Sequence, residues 1–513
     1  MDRRAAAGLV AGLTALGAAM AGWAATTAES AGAAEPQAIA LVNRVTWGAT
    51  ARDVAEVARL GPDRWLDAQL HPPQVDRLPP AVQAQIDAMP YLAVPMAQLV
   101  ADANGQNAAI NAIVDAPLKA AARQAYNKAL EDAVRQAAAR AILRDVYSPD
   151  QLKEQMTWFW FNHFNVHLSK ANLRLMIGDY EDSALRPHAL GRFRDLLEAT
   201  LRHPAMLRYL DNADNAAGHI NENYAREIME LHTMGVGSGY SQDDVQALAR
   251  ILTGVGIDPR PNDPQLPLQL RGQLIREGLF AFNPARHDYG DKTFLGRTIR
   301  GRGFGEVEEA LDILCRQPAT ATHISRELAV YFVADDPPDS LVQRMSHTFQ
   351  HSDGDIAQVL GVMFKSPEFR ASLGTKFKDP AHFAISAVRL AWGDTPILNT
   401  APVFAWMNRL GEGLYAHETP DGYAMIATAW NGPGQMETRF ELARQIGSGG
   451  AGLFRADGAT GPETPIVADL KTALQSTGLA DTLSPAADAA LAQATSPKDW
   501  NTLLLSSPDF MRR

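Results

Sequence analysis

Residues 148–167 read Ser-Pro-Asp-Gln-Leu-Lys-Glu-Gln-Met-Thr-Trp-Phe-Trp-Phe-Asn-His-Phe-Asn-Val-His. Ser148 offers a side-chain oxygen to the free N–H groups of a helix start, Pro149 suits the first helical position, and Gln151 completes a capping box. From Leu152 onward the periodicity is helical rather than alternating. At about 100° per residue, His163 and His167 lie about 40° apart on a helix, in one arc with Leu152, Met156 and Phe159. Two imidazoles on an apolar face suit one metal ion reached from adjacent turns, or two core histidines with hydrogen-bond partners. The crowded aromatics read as packing.

The same periodicity recurs outward from this stretch, and runs of alternating β-branched residues are scarce, so the chain is expected to be all-α and multi-helical. Helices are expected over Leu41 to Leu70, broken at Gly61-Pro62, and over an Ala-rich segment from about Asn107 to Asp145 with Pro117 in its first turn. Residues 72–95 read as Pro-rich and irregular. Later helices are expected near 189–200, 223–234, 242–252, 304–316, 318–332 and 355–366. Ser241 caps the helix that begins at Gln242, and Asp243 and Asp244 favour its positive end. Between about 253 and 303, Pro259, Pro261, Pro264 and Pro267, then Gly290, Gly296, Gly301 and Gly303, mark a long irregular or short-stranded insertion. Ser366-Pro367-Glu368-Phe369 and Ser507-Pro508-Asp509-Phe510 echo each other as a shared way of stopping a helix.

Composition bounds the function. The net charge of −11 survives removal of residues 1–33, which carry Asp2, Arg3, Arg4 and Glu29, so a nucleic-acid partner is not expected. The single cysteine, Cys315, excludes an intrachain disulfide and a thiolate cluster. Arg3-Arg4, the apolar run from Ala5 to Ala25 and the small residues Ala31-Gly32-Ala33 read as a cleavable signal peptide, with the arginine pair pointing to twin-arginine export. The mature chain is then expected in the periplasm or outside the cell, without a transmembrane anchor. The expected regions are a signal peptide at 1–33, an N-terminal helical region at 34–147, a central helical domain at 148–370 and a C-terminal helical region at 371–513.

A second motif is Asn221-Glu222-Asn223-Tyr224-Ala225-Arg226-Glu227-Ile228-Met229-Glu230-Leu231-His232. On a regular helix Glu227 falls amid Tyr224, Leu231 and Met234, with Glu230 at the edge and His232 about 140° away. A carboxylate on a core face is costly unless paired, metal-bound or protonated. It belongs either to a buried Arg–Glu network or to a metal or acid–base pair. A third candidate is the loop Arg286-His287-Asp288-Tyr289-Gly290-Asp291-Lys292, which places His287 where it could close a site. The expected site therefore takes His163, His167, Glu227 and Glu230 as ligands of a divalent metal such as Fe, Mn or Zn, with Glu227, Glu230 and His287 as catalytic groups. Gly-x-Ser-x-Gly, phosphate-loop and His-Glu-x-x-His motifs are absent. Gly447, Gly449 and Gly452 have the dinucleotide spacing but come after a helical segment rather than a strand.

Taken in order, Leu41–Gly48 (LVNRVTWG), Trp160–Phe164 (WFNHF), Asn221–Glu227 running on to His232, Tyr240–Val245 (YSQDDV), Leu252–Gly254, His287-Asp288 with Lys292, and Pro420–Tyr423 (PDGY) resemble the bacterial domain of unknown function 1800. Trp47 stands where that family has Phe, and Val255 where it tends to have Trp. The resemblance implies an exported helical protein, often with a twin-arginine signal and encoded beside a sulfatase-like or phosphatase-like partner. It implies no reaction. Two functions are expected on this basis: a metal-dependent envelope hydrolase or oxidoreductase, or a non-enzymatic binding or assembly partner of a co-exported sulfatase-like protein.

Overall fold

A computed structural model describes residues 36–75, 77–170, 172–449, 451–455 and 466–513. The signal-peptide reading of residues 1–33 lies outside the described residues. The described chain is predominantly helical, as the periodicity requires. No described helix is long and apolar enough to cross a membrane.

The break at Gly61-Pro62 is real: Ala51–Leu60 stops at Gly61, whose φ of 79° is open to glycine, and Pro62–Leu70 begins at once. The long helix is Ala116–Tyr147, with the Asp115 carboxylate accepting from Leu118 N and Pro117 in the first turn. Ser241 and Asp244 form the reciprocal capping box at the head of Gln242–Ile251. Pro80–Asp87 is a helix within the Pro-rich stretch, and Met96–Ala112 begins before the Ala-rich segment and takes its first residues, so that segment is divided between two helices.

The insertion folds as short strands. Val255–Ile257 and Ile275–Glu277 both pair antiparallel with Phe280–Phe282, which lies between them. Lys292–Phe294 and Arg297–Ile299 form a separate hairpin. Its two-residue turn has positive φ at Leu295 (48°) and Gly296 (75°), the twist a tight hairpin needs, and Asp244 Oδ1 accepts from Leu295 N at 2.7 Å.

The helix of the opening stretch is Gln151–His163, two residues later at its start than the capping signals indicate. Ser148 terminates the preceding helix, and its Oγ accepts from Asp150 N at 3.1 Å. Gln151 makes no capping box: its amide donates to Asp145 O and Ser148 O, both at 2.9 Å, and its oxygen accepts from Trp47 N at 3.1 Å. The helix is buried nearly all round. Val42, Leu152 and Leu504, from the three regions expected after the signal, belong to one continuous core. The Ser-Pro-acid-Phe echoes start new turns: Ser366 Oγ accepts from Phe369 N and Ser507 Oγ from Phe510 N, both at 3.1 Å.

Arg389 locks this core. Fully buried, its guanidinium donates to Gly48 O at 2.7 Å, to Val146 O, and to Asp53 Oδ2 at 2.6 Å. Arg389→Met strands the Asp53 carboxylate, and urea denaturation should read a loss of about 3–5 kcal/mol. The double variant Asp53→Asn, Arg389→Met should recover part of it, because both charges are then gone.

Candidate functional site

The helix Gln151–His163 ends at the first of its two histidines, where Phe164 leaves helical geometry. His163 and His167 therefore do not share a helical face, and the expected i, i+4 pair does not form. His163 is buried, with Nδ1 2.6 Å from Glu327 Oε2 and Nε2 3.2 Å from His232 O. His323 brings Nε2 to 3.1 Å from Leu231 O and 3.6 Å from Glu327 Oε1. His232, which the helical wheel sets aside, joins this group. Its ring is fully buried, 5.9 Å from His163 and 4.9 Å from Phe164 between centroids, and neither nitrogen has a hydrogen-bond partner among the described residues. Burial first, then His163 and His323, hold its pKa far below the ordinary imidazole value. Burial would raise the Glu327 carboxyl, but His163 and His323 hold it low.

The wheel fails at His232 for a local reason. Asn223–Glu227 is α-helical, but Ile228–Thr233 is a π-helical turn, which adds a residue and rotates everything after it. Glu227, the last residue before that turn, lies half-buried. Glu230 is held by Arg226 at 3.2 Å, and Arg226 also reaches Glu222 at 3.4 Å and Gln242 at 2.8 Å. That is the Arg–Glu network reading, met by Glu230 and not by Glu227. Among the described residues no hydrogen bond or ion pair engages the Glu227 carboxylate.

His167 and Glu227 are drawn into one neighbourhood by a loop from the far end of the chain. Asn162 donates to Tyr423 O at 2.9 Å and accepts from Tyr423 N at 2.6 Å. Asn165 donates to His417 O at 2.9 Å and Thr419 O at 2.7 Å, and Tyr209 Oη donates to Glu418 O at 2.7 Å. Gly422 has φ of 69°, and a Cβ there would sit 2.1 Å from Asn162 O, so this close approach admits only glycine. The loop sets His417, Glu418 and Asp421 beside the earlier motifs.

The charges show this juxtaposition. Burial, Glu230 and Asp421 push the Glu227 carboxyl up against the opposing Arg226. Burial lowers the His167 imidazole, with Glu418 opposing and His417 adding to the shift. Tyr209 is pushed up to about 12 by burial and by Glu227, Asp421 and Glu418. Ser169 Oγ lies 2.8 Å from His167 Nδ1, and no hydrogen bond engages Nε2 among the described residues. Beneath residues 413–423 is a cavity of about 30 Å³ lined by Asp145, Glu154, Glu181, Asn162 and Tyr415. That is room for water and not for a metabolite.

His287 is elsewhere. The loop 286–292 is no solvated turn: His287 and Lys292 are fully buried, with His287 Nε2 2.8 Å from Glu306 Oε1 and Lys292 Nζ 2.5 Å from Glu306 Oε2. Thr253 O faces His287 Nδ1 at 2.8 Å. Burial would raise the Glu306 carboxyl, but hydrogen bonds from His287, Lys292 and Arg302 N hold it at about 2. His287, expected to close the site, is buried and bonded to Glu306 and Thr253, away from Glu227. His163 is engaged by Glu327 and Glu230 by Arg226, whereas His167 and Glu227 lie towards the loop 417–423, and among the described residues no three His, Cys, Asp or Glu side chains are grouped to hold a metal ion.

Among known proteins, one family profile, described as "Protein of unknown function (DUF1800)", matches residues 40–512. No curated protein and no solved structure matches the chain.

Because folding raises the Glu227 carboxyl, its ionised form weakens the fold, and that penalty disappears as the pH falls and the carboxyl protonates. Glu227→Gln should therefore have a higher Tm than the parent at pH 7. Thermal unfolding should show the gap closing on acidification to about pH 4.

Proposed function

The chain belongs to the DUF1800 family, which assigns no reaction, and we propose that it is an exported acid–base enzyme acting where Glu227 and His167 face the loop 417–421. The carrying observation is Glu227, a half-buried carboxylate without a hydrogen-bond or ion-pair partner among the described residues, unlike Glu154, held by Arg186 at 2.6 Å, and Glu306, held by Lys292 at 2.5 Å. An unrelieved penalty of this kind marks functional groups.

Glu227, its carboxyl pushed up by burial and by Glu230 and Asp421, is suited to proton transfer. His167, kept neutral by burial, is suited to accept a proton at Nε2 in the tautomer whose Nδ1–H donates to Ser169 Oγ. Tyr209 keeps its proton at neutral pH and uses it to hold Glu418 O, and with it the loop. Acid residues surround the site, so the substrate should carry positive charge. Hydrolysis or elimination fits this equipment. Arg3-Arg4 and the apolar run after them support export to the periplasm or beyond.

A second reading, assembly with a co-exported sulfatase-like protein, draws support from how many motif groups serve the scaffold: Asn162 and Asn165 hold the 417–423 loop, and His163 and His287 hold core carboxylates.

The two separate on one experiment. The mature chain is incubated with small molecules extracted from the cell envelope, and consumption is followed by mass spectrometry. The enzyme reading expects a consumed cationic compound, with Glu227→Gln and His167→Ala each slowing it about 100-fold or more. Unchanged consumption in Glu227→Gln, or no consumption at all, would sink it.

A further inference from the structure

The helix Pro380–Trp392 borders a second cavity, of about 130 Å³, whose wall is largely apolar, with Ala49, Leu390, Leu474, Leu504 and Phe510 among its residues. Lys378 and Ser386 also line it, each only 3% exposed. Lys378 Nζ is 3.0 Å from Ser386 Oγ and 3.9 Å from the centre of the Phe510 ring.

This lysine differs from the other buried ones. Lys292 has Glu306 at 2.5 Å and Lys376 has Asp335 at 2.5 Å, so each has a counter-ion. Among the described residues no carboxylate lies within ion-pair distance of Lys378. Its sequence neighbour Asp379 is engaged by His382 at 2.7 Å. A buried ammonium with one hydroxyl and an aromatic face around it is poorly stabilised. Burial, with Arg513 and Arg439 adding repulsion, brings it down to about 7, so a free amine is available at neutral pH.

Ser386 is correspondingly uncommitted. Its hydroxyl has only a long bond, 3.3 Å, to Phe383 O, which an amine lone pair at 3.0 Å can replace. The chain also makes room for it. Gly48, from the Trp47-Gly48 motif, lines the same cavity with φ of 130°, and a Cβ there would lie 2.6 Å from Ser386 Cβ. Only glycine lets this backbone approach the serine.

We propose that Ser386 and Lys378 form a nucleophile–base pair that accepts a short apolar acyl group from an ester, independently of the Glu227 face. Ser386 Oγ attacks the carbonyl carbon while its proton passes to Lys378 Nζ. The tetrahedral intermediate then releases the alkoxide, which takes the proton from the ammonium and leaves as an alcohol. The acyl-serine remains, with its chain against the apolar wall. Lys378, again neutral, deprotonates a water that attacks the ester carbonyl, and Ser386 departs with the proton, regenerating the hydroxyl and releasing the carboxylic acid. Asn43 and Arg512, also on the wall, are polar side chains available to this chemistry.

The full chain is mixed with p-nitrophenyl butyrate, nitrophenolate release is recorded, and the acylated residue is located by peptide mass mapping. A butyryl group on Ser386 is expected, with a rate that rises as the pH passes about 7 and then levels. Ser386→Ala should abolish the label and Lys378→Met should slow it about 100-fold or more, both folding with near-parental unfolding midpoints. Cys315→Ser should leave it unchanged. Should Lys378→Met fail to fold, Ser386→Ala and the parental pH profile decide the matter. Label on Lys378 itself, label elsewhere, a rate independent of pH between about 6 and 8, or no label at all overturns the proposal.

Discussion

A helix enclosed on nearly every side cannot offer its polar side chains to water, and the helix Gln151–His163 is in that position with Gln, Glu, Asn and His among its residues. Each such group left without a partner would cost about 1–3 kcal/mol, so each must find one elsewhere in the chain. Gln151 takes Trp47 N, Glu154 takes Arg186, Gln155 accepts from Arg513 at 3.1 Å, Asn162 takes Tyr423 and His163 takes Glu327. The bonds run from this one helix to N-terminal, central and C-terminal parts of the sequence, which fixes their mutual positions. Satisfying the helix and assembling the candidate site are the same event, because the Asn162 bond sets the loop that carries Asp421.

Local signals in the sequence are reliable where local physics decides. Gly61-Pro62 breaks a helix because of its backbone dihedrals, and Ser241-x-x-Asp244 caps one through its own side chains. The failures are of another kind. His163 and His167 share a face only on a helix that continues, and this one stops between them. The π-turn at Ile228–Thr233 shifts the residues after Glu227, so Leu231 and Met234 lose the register a regular helix would give them around it, and His232 turns into the core. The run Ile228-Met229-Glu230-Leu231-His232-Thr233 carries no composition signal for that extra residue. Partners such as Glu327, Asp421 and Glu306 lie far away in sequence, and periodicity carries no information about them.

The contrast between two acids separates scaffold from function. Glu306 is buried with His287, Lys292 and two backbone N–H groups on it, and its pKa falls. Glu227 is less buried, lies near Glu230 and Asp421, and its pKa rises. A stable fold gains from the first arrangement and loses from the second. In the sequence His287 and Glu227 look alike, because both are polar residues in motifs; only their partners distinguish them.

The loop 417–423 is held chiefly through its backbone. Asn165 and Tyr209 donate to carbonyl oxygens of His417, Thr419 and Glu418, and Asn162 both donates to and accepts from the main chain of Tyr423. Main-chain anchoring does not depend on which side chain stands at 417, 418 or 421. The ions and imidazole that meet Glu227 and His167 can therefore differ without moving the loop, whereas Gly422, pressed against Asn162 O, cannot. The loop is thus anchored at Asn162, Asn165, Tyr209 and Gly422, and the charge of the candidate site is set at His167, Glu227, His417, Glu418 and Asp421. A site divided in this way keeps its shape while its charge changes.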